Sequence, residues 1–547
     1  MLISKQSGIA NTDSFDEVYT GALFDVYMNG VLFCRGMYEG QESISYLCHR
    51  IENDSAIPFN ELYGSYTIII DYKGQKQVVF SDNSCMHAFF VSENYLGSNF
   101  KEIIQAEGLN KFDEMGCCEC LALIRGGFSE RTVIEGLRYS NNLKYYEIFD
   151  GRRSEQSKGI DSIDGESAIA DTVSFFRDVA HAFEKRKVIC ALTGGFDSRA
   201  VATSINSFKK TDCFISGDND KSSEIILAKK TAEAGGYTLK QIRPEYPEIG
   251  DTTLLESWKK NAGFNTNIST SGFRINHFMK VLQSEGYEVL LDGNSGDMHK
   301  EFWFSQEFPF YNKRKSNPRL FYNSRMKKYL PVFGDKIKSS IEAMEKLELK
   351  AMNRLTANIN SKSCLLYGWY SDWCRIENSS TEENCPFIYS PLREIEIVRS
   401  SYNIAPHDMY MNMILRKIIS KADLKVARIK TIYGTTASTE ARYIVRDVFA
   451  QFKRYFTQLI RYVIRKTTGK SVFLPKVETR SIDSYIKRNT DVSDAIEWAK
   501  DYGYLQMKVG IGQIPMKVIS DILNLYYIDK YIFGETNEDI DNCSGNS

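Results

Sequence analysis

No run of roughly 18 or more uncharged apolar residues occurs in the chain, so nothing in the sequence is built to span a bilayer. The opening MLISKQSGIANTDSFDEV lacks the apolar centre of a signal peptide, which points to the cytoplasm. Net charge is nearly absent as well: 69 basic against 70 acidic side chains leave −1, too little to draw nucleic acid or a membrane to the whole surface. Twelve cysteines are scattered with no spacing that marks a disulfide framework. Cys117, Cys118 and Cys120 cluster, yet no second pair completes a tetrahedral metal site, and buried thiols are expected. The six histidines, His49, His87, His181, His277, His299 and His407, form no catalytic pattern by spacing.

What remains is ordinary globular material, 43% hydrophobic and 25% charged, in 547 residues, long enough for two or three domains. Residues 1–155 read as a β-rich domain. GALFDVYMNGVLFC, the two runs of GSYTIIIDYKGQKQVVFSD around a Lys-Gly-Gln turn, and AFFVSE alternate as strands do, and FKEIIQAEG is the first helix. GRRSEQSKGIDSIDG, residues 151–165, reads as a linker. Over 165–440 helix and strand patterns alternate, which predicts a parallel sheet covered by helices. Residues 441–547 read as a helical extension.

One corner of that α/β region carries chemistry. VICAL is a buried strand, SRAVATSI a helix opened by a hydroxyl residue, and TGGFDS the turn between them. Free N–H groups at a helix start, backed by the helix dipole, attract phosphate. Gly194 and Gly195 let backbone approach a ligand closely. No Gly-Lys-Ser/Thr follows, so the loop is not of the Walker type. A second glycine-aspartate loop, DGNSGD, follows the strand YEVLLDG. In open parallel sheets ligands sit at the carboxyl ends of strands, where both loops fall, so the two are expected to face one ligand.

Two further stretches need weighing. KEFWFSQEFPFYNKRKSNPRLFYNSRMKKYLP, residues 300–331, interleaves aromatic and basic residues as single-strand nucleic-acid binders do. A loop covering the ligand side, or a surface for an anionic substrate, is preferred. In ARYIVRDVFAQFKRYFTQLIRYVIRK the apolar Val445, Val448, Phe449, Phe452, Phe456, Leu459, Ile460 and Val463 recur at helical spacing among Arg446, Lys453, Arg461 and Arg465. The expectation is a helix packed on a core with a solvated basic face, ahead of a membrane-surface or anionic-partner helix.

TGGFDS resembles the SGGxDS pyrophosphate loop of the asparagine synthetase-like branch of the PP-loop ATPases. FISGDND resembles that family's second strand and the start of its adenine loop, and DGNSGD its SGEGxDE loop. CPFIYSPLREIEIVRS looks like its PFLDxxLVE segment, and LRKIISKADLKVARIKTIYG is similar to its stretch ending in RxKxGF, with Arg428 and Lys430 at the basic positions. YGSYTIIIDYKGQKQVVFSDNSCMHAFFV looks like the pattern of the family's glutaminase domain. The resemblance, over residues 20–435, implies an α/β protein. It would hold an N-terminal β-rich, Ntn-hydrolase-like αββα domain, then a parallel-sheet PP-loop (HUP-like) ATP pyrophosphatase domain and a helical C-terminal region.

By the same resemblance Thr193, Gly194, Gly195, Asp197 and Ser198 would hold the phosphates of ATP, and Leu192, Ser216, Asp292 and Gly293 its adenosine. Asp197 and Asp297 would be the Mg²⁺ carboxylates. Lys430 would neutralise the departing pyrophosphate, with a plain surface lysine as the alternative. Lys430, Asp197 and Asp297 are thus the expected catalytic set.

Three departures qualify this. Glutamine-dependent members expose a cysteine nucleophile at their second residue, where this chain has Leu2, which implies no glutamine hydrolysis. Asn294 stands where the family's glutamate handles a proton, and an amide is no general base. Met298 replaces the closing acid. β-Lactam synthetases and lasso-peptide cyclases combine an ATP half with no catalytic cysteine, so an AMP-forming amide ligase is expected. Its partners would be a small-molecule or peptide carboxylate and an amine or ammonia donor, without nucleic acid or membrane span, a homodimer being left open. A nucleotide-binding scaffold that has lost catalysis is the competing reading, and RNA modification through residues 311–328 a weaker third.

Overall fold

Period-two alternation of large apolar residues folds the first 160 residues into two antiparallel sheets, seen here in a computed structural model. It describes residues 1–12, 15–73, 75–84, 86–122, 130–160, 169–245, 253–260, 270–300, 330–341, 343, 346, 347, 386–400, 410–468 and 486–534. The strands in chain order are β1 (Leu2–Ser4), β2 (Gly8–Asn11), β3 (Asp16–Thr20), β4 (Asp25–Cys34), β5 (Leu62–Asp71), β6 (Gln77–Ser81), β7 (Phe90–Val91), β8 (Tyr95–Gly97), β9 (Arg138–Tyr139), β10 (Lys144–Phe149) and β11 (Arg152–Ser157). One sheet runs β11-β10-β6-β5-β4-β3, the other β2-β1-β8-β7-β9.

The alternation sorts side chains between layers. Ile69 and Val79 of the six-stranded sheet meet Ile3, Val91 and Leu96 of the other between the two sheets. Their neighbours Ile68, Ile70, Val78 and Phe80 point the opposite way, onto Ile44, Leu47 and Ile51 of the helix Gln41–Asp54. The five-stranded sheet sends Phe90 outward to Phe100 and Ile103 of the helix Phe100–Glu107. The two runs pair as expected: β5 and β6 run antiparallel from Asp71↔Gln77 to Thr67↔Ser81.

Part of the stretch read as a linker is a strand. Arg152–Ser157 pairs with β10 along its whole length, from Lys144↔Ser157 to Phe149↔Arg152. It is the edge of its sheet and largely exposed, so its polar side chains satisfy strand geometry without the apolar alternation that identifies inner strands.

The second unit is a parallel sheet of β12 (Val188–Ala191), β13 (Asp212–Ser216), β14 (Leu239–Ile242), β15 (Val289–Leu291) and β16 (Phe387–Tyr389), in the order β14-β13-β12-β15-β16. One face carries Ile189, Phe214 and Leu290 against Met279 and Leu282 of the helix Thr270–Ser284. The other carries Cys190, Cys213 and Leu291 against the helices Ile169–Ala182, Asp197–Phe208 and Met413–Ala422. Each such fully buried aliphatic side chain contributes about 1.5–3 kcal/mol, and with both faces covered the inner strands β12 and β15 are apolar along their length, while the edge strand β14 carries Lys240 and Gln241. From β12 the chain winds to β13 and β14 on one side and later to β15 and β16 on the other. The β12/β15 junction is therefore the topological switch point.

The C-terminal helices Thr490–Asp501 and Met516–Ile528 share one core with the helices Phe100–Glu107 and Glu114–Leu121 of the first unit. Cys117 and Cys118 are fully buried in that core.

The helix Ala441–Thr468 reverses the expected orientation. Its apolar stripe faces outward, with Phe449 73% and Phe452 69% exposed, while Asp447 and Gln451 are buried. Periodicity specifies that an apolar face exists, not which face the rest of the chain covers. Here the buried Arg416 guanidinium donates to Asp447 Oδ2 at 3.0 Å and seats the helix by its polar side. Among the described residues no helix is long and apolar enough to cross a membrane. The aromatic and basic stretch from residue 301 to 329, including the nucleic-acid candidate 311–328, lies outside the described residues.

Candidate functional site

At the switch point the loops after β12 and β15 meet. β12 and β15 pair in parallel, Cys190 opposite Leu291, so Thr193–Ser198 and Asp292–Asp297 leave the sheet side by side. Contact is tight: a Cβ on Gly293 would stand 2.4 Å from the Ser198 nitrogen, and one on Gly296 2.4 Å from Asp197 Oδ1. Only glycine admits this approach.

The first loop is braced from within. Ser198 Oγ accepts the Thr193 N–H at 2.9 Å and lies 2.8 Å from Thr193 Oγ1, which in turn accepts the Gly195 N–H at 3.2 Å. The helix starts at Asp197, not at the hydroxyl residue, and Ser198 reaches back into the loop. Gly194 and Gly195 divide the role expected of both. Ile432 Cγ2 would stand 2.5 Å from a Cβ on Gly194, so that glycine admits the chain's own third loop; beside Gly195 a Cβ would meet nothing closer than Thr193 Oγ1 at 3.4 Å.

That third loop carries Lys430. Ile432 N–H donates to the Gly194 carbonyl at 2.9 Å, and Tyr433 stacks on Phe196 with ring centroids 6.0 Å apart. Arg199, two residues past Asp197 and fully buried, donates to the carbonyls of Ile429 at 2.7 Å and Lys430 at 3.0 Å. Burial pulls the Arg199 guanidinium down to about 10. The Lys430 side chain is exposed, and Arg428 forms a two-pronged pair with Glu440 at 2.7 and 2.8 Å.

The expected nucleoside contacts divide. Leu192 is fully buried, its N–H on the Phe214 carbonyl at 2.9 Å. Ser216 Oγ, at the end of β13, is buried without a partner. Asp292 is engaged inside its own loop: Ser390 Oγ donates to it, as do the Asn294 N–H at 3.1 Å and the Asn294 side-chain amide at 3.0 Å. Asn294 thus organises a carboxylate that a glutamate there would repel. Met298, 3% exposed, packs in the core shared with the C-terminal helices.

The residue that sequence reasoning missed is Lys300. Its side chain is 7% exposed, and its ammonium donates to Asp197 Oδ2 and, at 2.9 Å, to Asp297 Oδ1. Burial alone would lower the Lys300 pKa, but the two carboxylates outweigh it and hold the amine above its ordinary range. Burial pushes Asp197 up to about 6 against the pull of Lys300. The sequence showed only the spacing of Lys300, three residues past Asp297; the tight turn Gly296–His299 is what brings the two side chains together. Asp197 Oδ1 is buried with no hydrogen-bond partner.

Fit to the expected groups divides accordingly. A phosphate chain suits the glycine-lined corner, the helix start and the flanking lysines. A divalent ion bridging Asp197 and Asp297 does not fit, because the Lys300 ammonium already joins them. Among the described residues no three His, Cys, Asp or Glu side chains gather as a metal site.

In the first unit Leu2 is a partly buried residue within β1, paired to Asn11 and Gly97. Burial raises the thiols of Cys34 and Cys48 to about 12, far from the thiolate that nucleophilic attack requires. No protein-family model matches this chain, and no curated protein matches it.

Proposed function

We propose that the protein is an ATP-dependent amide ligase, forming AMP and pyrophosphate, that joins a carboxylate to ammonia or a substrate amine without hydrolysing glutamine. The observation that carries the reading is the meeting of Thr193–Ser198 and Asp292–Asp297 at the switch point, with the Lys430 loop laid against them. In this reading the parallel-sheet unit is a PP-loop ATP pyrophosphatase of the asparagine synthetase-like type, and the layered first unit is a glutaminase-shaped domain without its nucleophile. ATP supplies an activated carboxylate: the substrate oxygen attacks the α-phosphorus, pyrophosphate leaves, and an amine then displaces AMP from the acyl carbon.

The chain's own residues bind and orient. Thr193, Gly194, Gly195 and Ser198 shape the corner that takes the phosphates, Ser216 and Gly293 line the nucleoside side with the buried Leu192 behind them, and Asp292 holds the second loop in form. Lys300 and Lys430 supply positive charge where phosphate charge grows. Holding carboxylate, nucleotide and amine in near-attack geometry is worth about 7–11 kcal/mol, and the proton that the amine loses on forming the amide passes to water or to the departing AMP.

One observation favours a second reading. A lysine locked between the two carboxylates suits a domain that binds nucleotide without turnover. Product analysis separates the two. Purified protein with ATP and Mg²⁺ is given aspartate with ammonium, aspartate with glutamine, or a metabolite extract of the source cells. The ligase yields AMP and pyrophosphate in an ammonium or extract arm, and Asp197→Asn abolishes both products. ADP and phosphate as products would overturn the ligase, while ATP binding with no turnover in any arm would establish the second reading.

A further inference from the structure

Lys300 has a consequence beyond either reading. Two aspartates in the loops after adjacent parallel strands, one of them at a glycine-lined helix start, are the kind of carboxylate pair that a magnesium ion uses together with phosphate oxygens. In this chain the position between the carboxylates is taken. The Lys300 ammonium is within hydrogen-bonding reach of both, and its backbone N–H is fixed to the Asp297 carbonyl at 3.2 Å, so the charge is tethered at both ends. It cannot be moved aside cheaply, because its side chain is 93% enclosed and leaving would strip its counter-charge from Asp197, whose Oδ1 is already buried without a partner. Among the described residues no third carboxylate joins the pair to attract an ion despite it, residue 298 being a core methionine.

We propose that Lys300 is the built-in cation of this site: its ammonium stands where a divalent ion would bridge Asp197 and Asp297, and an incoming triphosphate meets the lysine instead of a metal held by that pair. The half of this that concerns triphosphate rests on the nucleotide reading above; the half that concerns the cation does not. An ammonium offers three donors and one charge without a water shell to shed. With two carboxylates and one ammonium the cluster keeps a single negative formal charge.

Direct Mn²⁺ titration, with free ion followed by electron paramagnetic resonance and no nucleotide present, tests the cation. Wild type is expected to show no Mn²⁺ binding that Asp197→Asn removes. Lys300→Met, which keeps length and loses charge, frees both carboxylates and should bind Mn²⁺ at least about tenfold more tightly than wild type. Adding Asp197→Asn to it should abolish the gain. Lys300→Gln is the second variant should the methionine fail to fold, with the same gain expected. Mn²⁺ held by wild type and lost in Asp197→Asn overturns the proposal without any lysine variant. ATP titrations in EDTA and in Mg²⁺ then separate the two claims: wild type should bind within about threefold in both, and Lys300→Met only with the metal. A gain of Mn²⁺ binding in the variants with no ATP binding by any protein leaves the cation assignment standing and removes the nucleotide reading. ATP binding by wild type together with Mn²⁺ held at the pair does the reverse.

Discussion

At the scale of single residues, the site is decided by how closely backbones approach. Gly293 and Gly296 are glycines because the neighbouring loop lies where a side chain would be, and Gly194 because Ile432 does. Gly293→Ala should cost about 1–3 kcal/mol, since its methyl would press on backbone rather than on a side chain that can turn. Thermal unfolding checks this against Gly512→Ala, where a Cβ meets nothing within 4 Å and little change is expected. A Gly293→Ala midpoint equal to that of the control would mean that the loops are not in contact. Aspartates, glycines and hydroxyls of the two loops were legible because short spacing fixes their place on a strand-to-helix corner. Arg199 and Lys300 were not, although both lie within three residues of an expected site residue. A sequence shows a charged side chain three positions on, but whether it is buried depends on what the rest of the chain lays over it.

At the scale of elements, strong periodicity made existence and type legible while leaving orientation open. The helix Ala441–Thr468 shows both halves: eight apolar residues at helical spacing predict the helix, and a buried Arg416–Asp447 pair, not that stripe, fixes it. Asp447→Ala should therefore cost about 3–5 kcal/mol, because the buried Arg416 would lose the Asp447 carboxylate and Thr436, whose N–H donates at 2.7 Å and hydroxyl at 2.6 Å, would lose its acceptor. Phe449→Ser with Phe452→Ser, on the exposed face, should move stability by less than about 0.5 kcal/mol. Denaturant unfolding of the two variants side by side is the measurement; a large loss from the phenylalanines would mean that the stripe is covered. The edge strand Arg152–Ser157 failed for the opposite reason, since exposed edge positions tolerate polar residues that carry no periodic signal.

At the scale of the whole molecule, the first unit and the parallel sheet are joined around a buried carboxylate. Glu394, 1% exposed, accepts from the Gly64 N–H at 2.9 Å, Ser84 Oγ at 2.7 Å and Tyr389 Oη at 2.7 Å, and Arg35 and Tyr63 grip Glu396 two residues on. Burial pushes Glu394 up to about 7 although all three bonds favour the ion. The folded state thus keeps a proton that the unfolded chain releases above about 4.5, so this group's stabilisation is full below that pH and is lost as pH rises to about 7. The change is on the order of 3 kcal/mol. Glu394→Gln does not titrate, so the midpoint difference, wild type minus variant, should fall between pH 4.5 and 7; parallel pH profiles would contradict it. The sequence by itself determined the inner strands and several of the helices, the parallel sheet and the two glycine-aspartate loops, because local steric preference and hydrophobic spacing act within a few residues. Only the tertiary structure decided that Lys300 joins the aspartates, that the long helix shows its apolar face outward, and that Glu394 is sealed between the two units. Each of those depends on which distant segment removes water from a side chain, and burial is a property of the packed chain, not of its order.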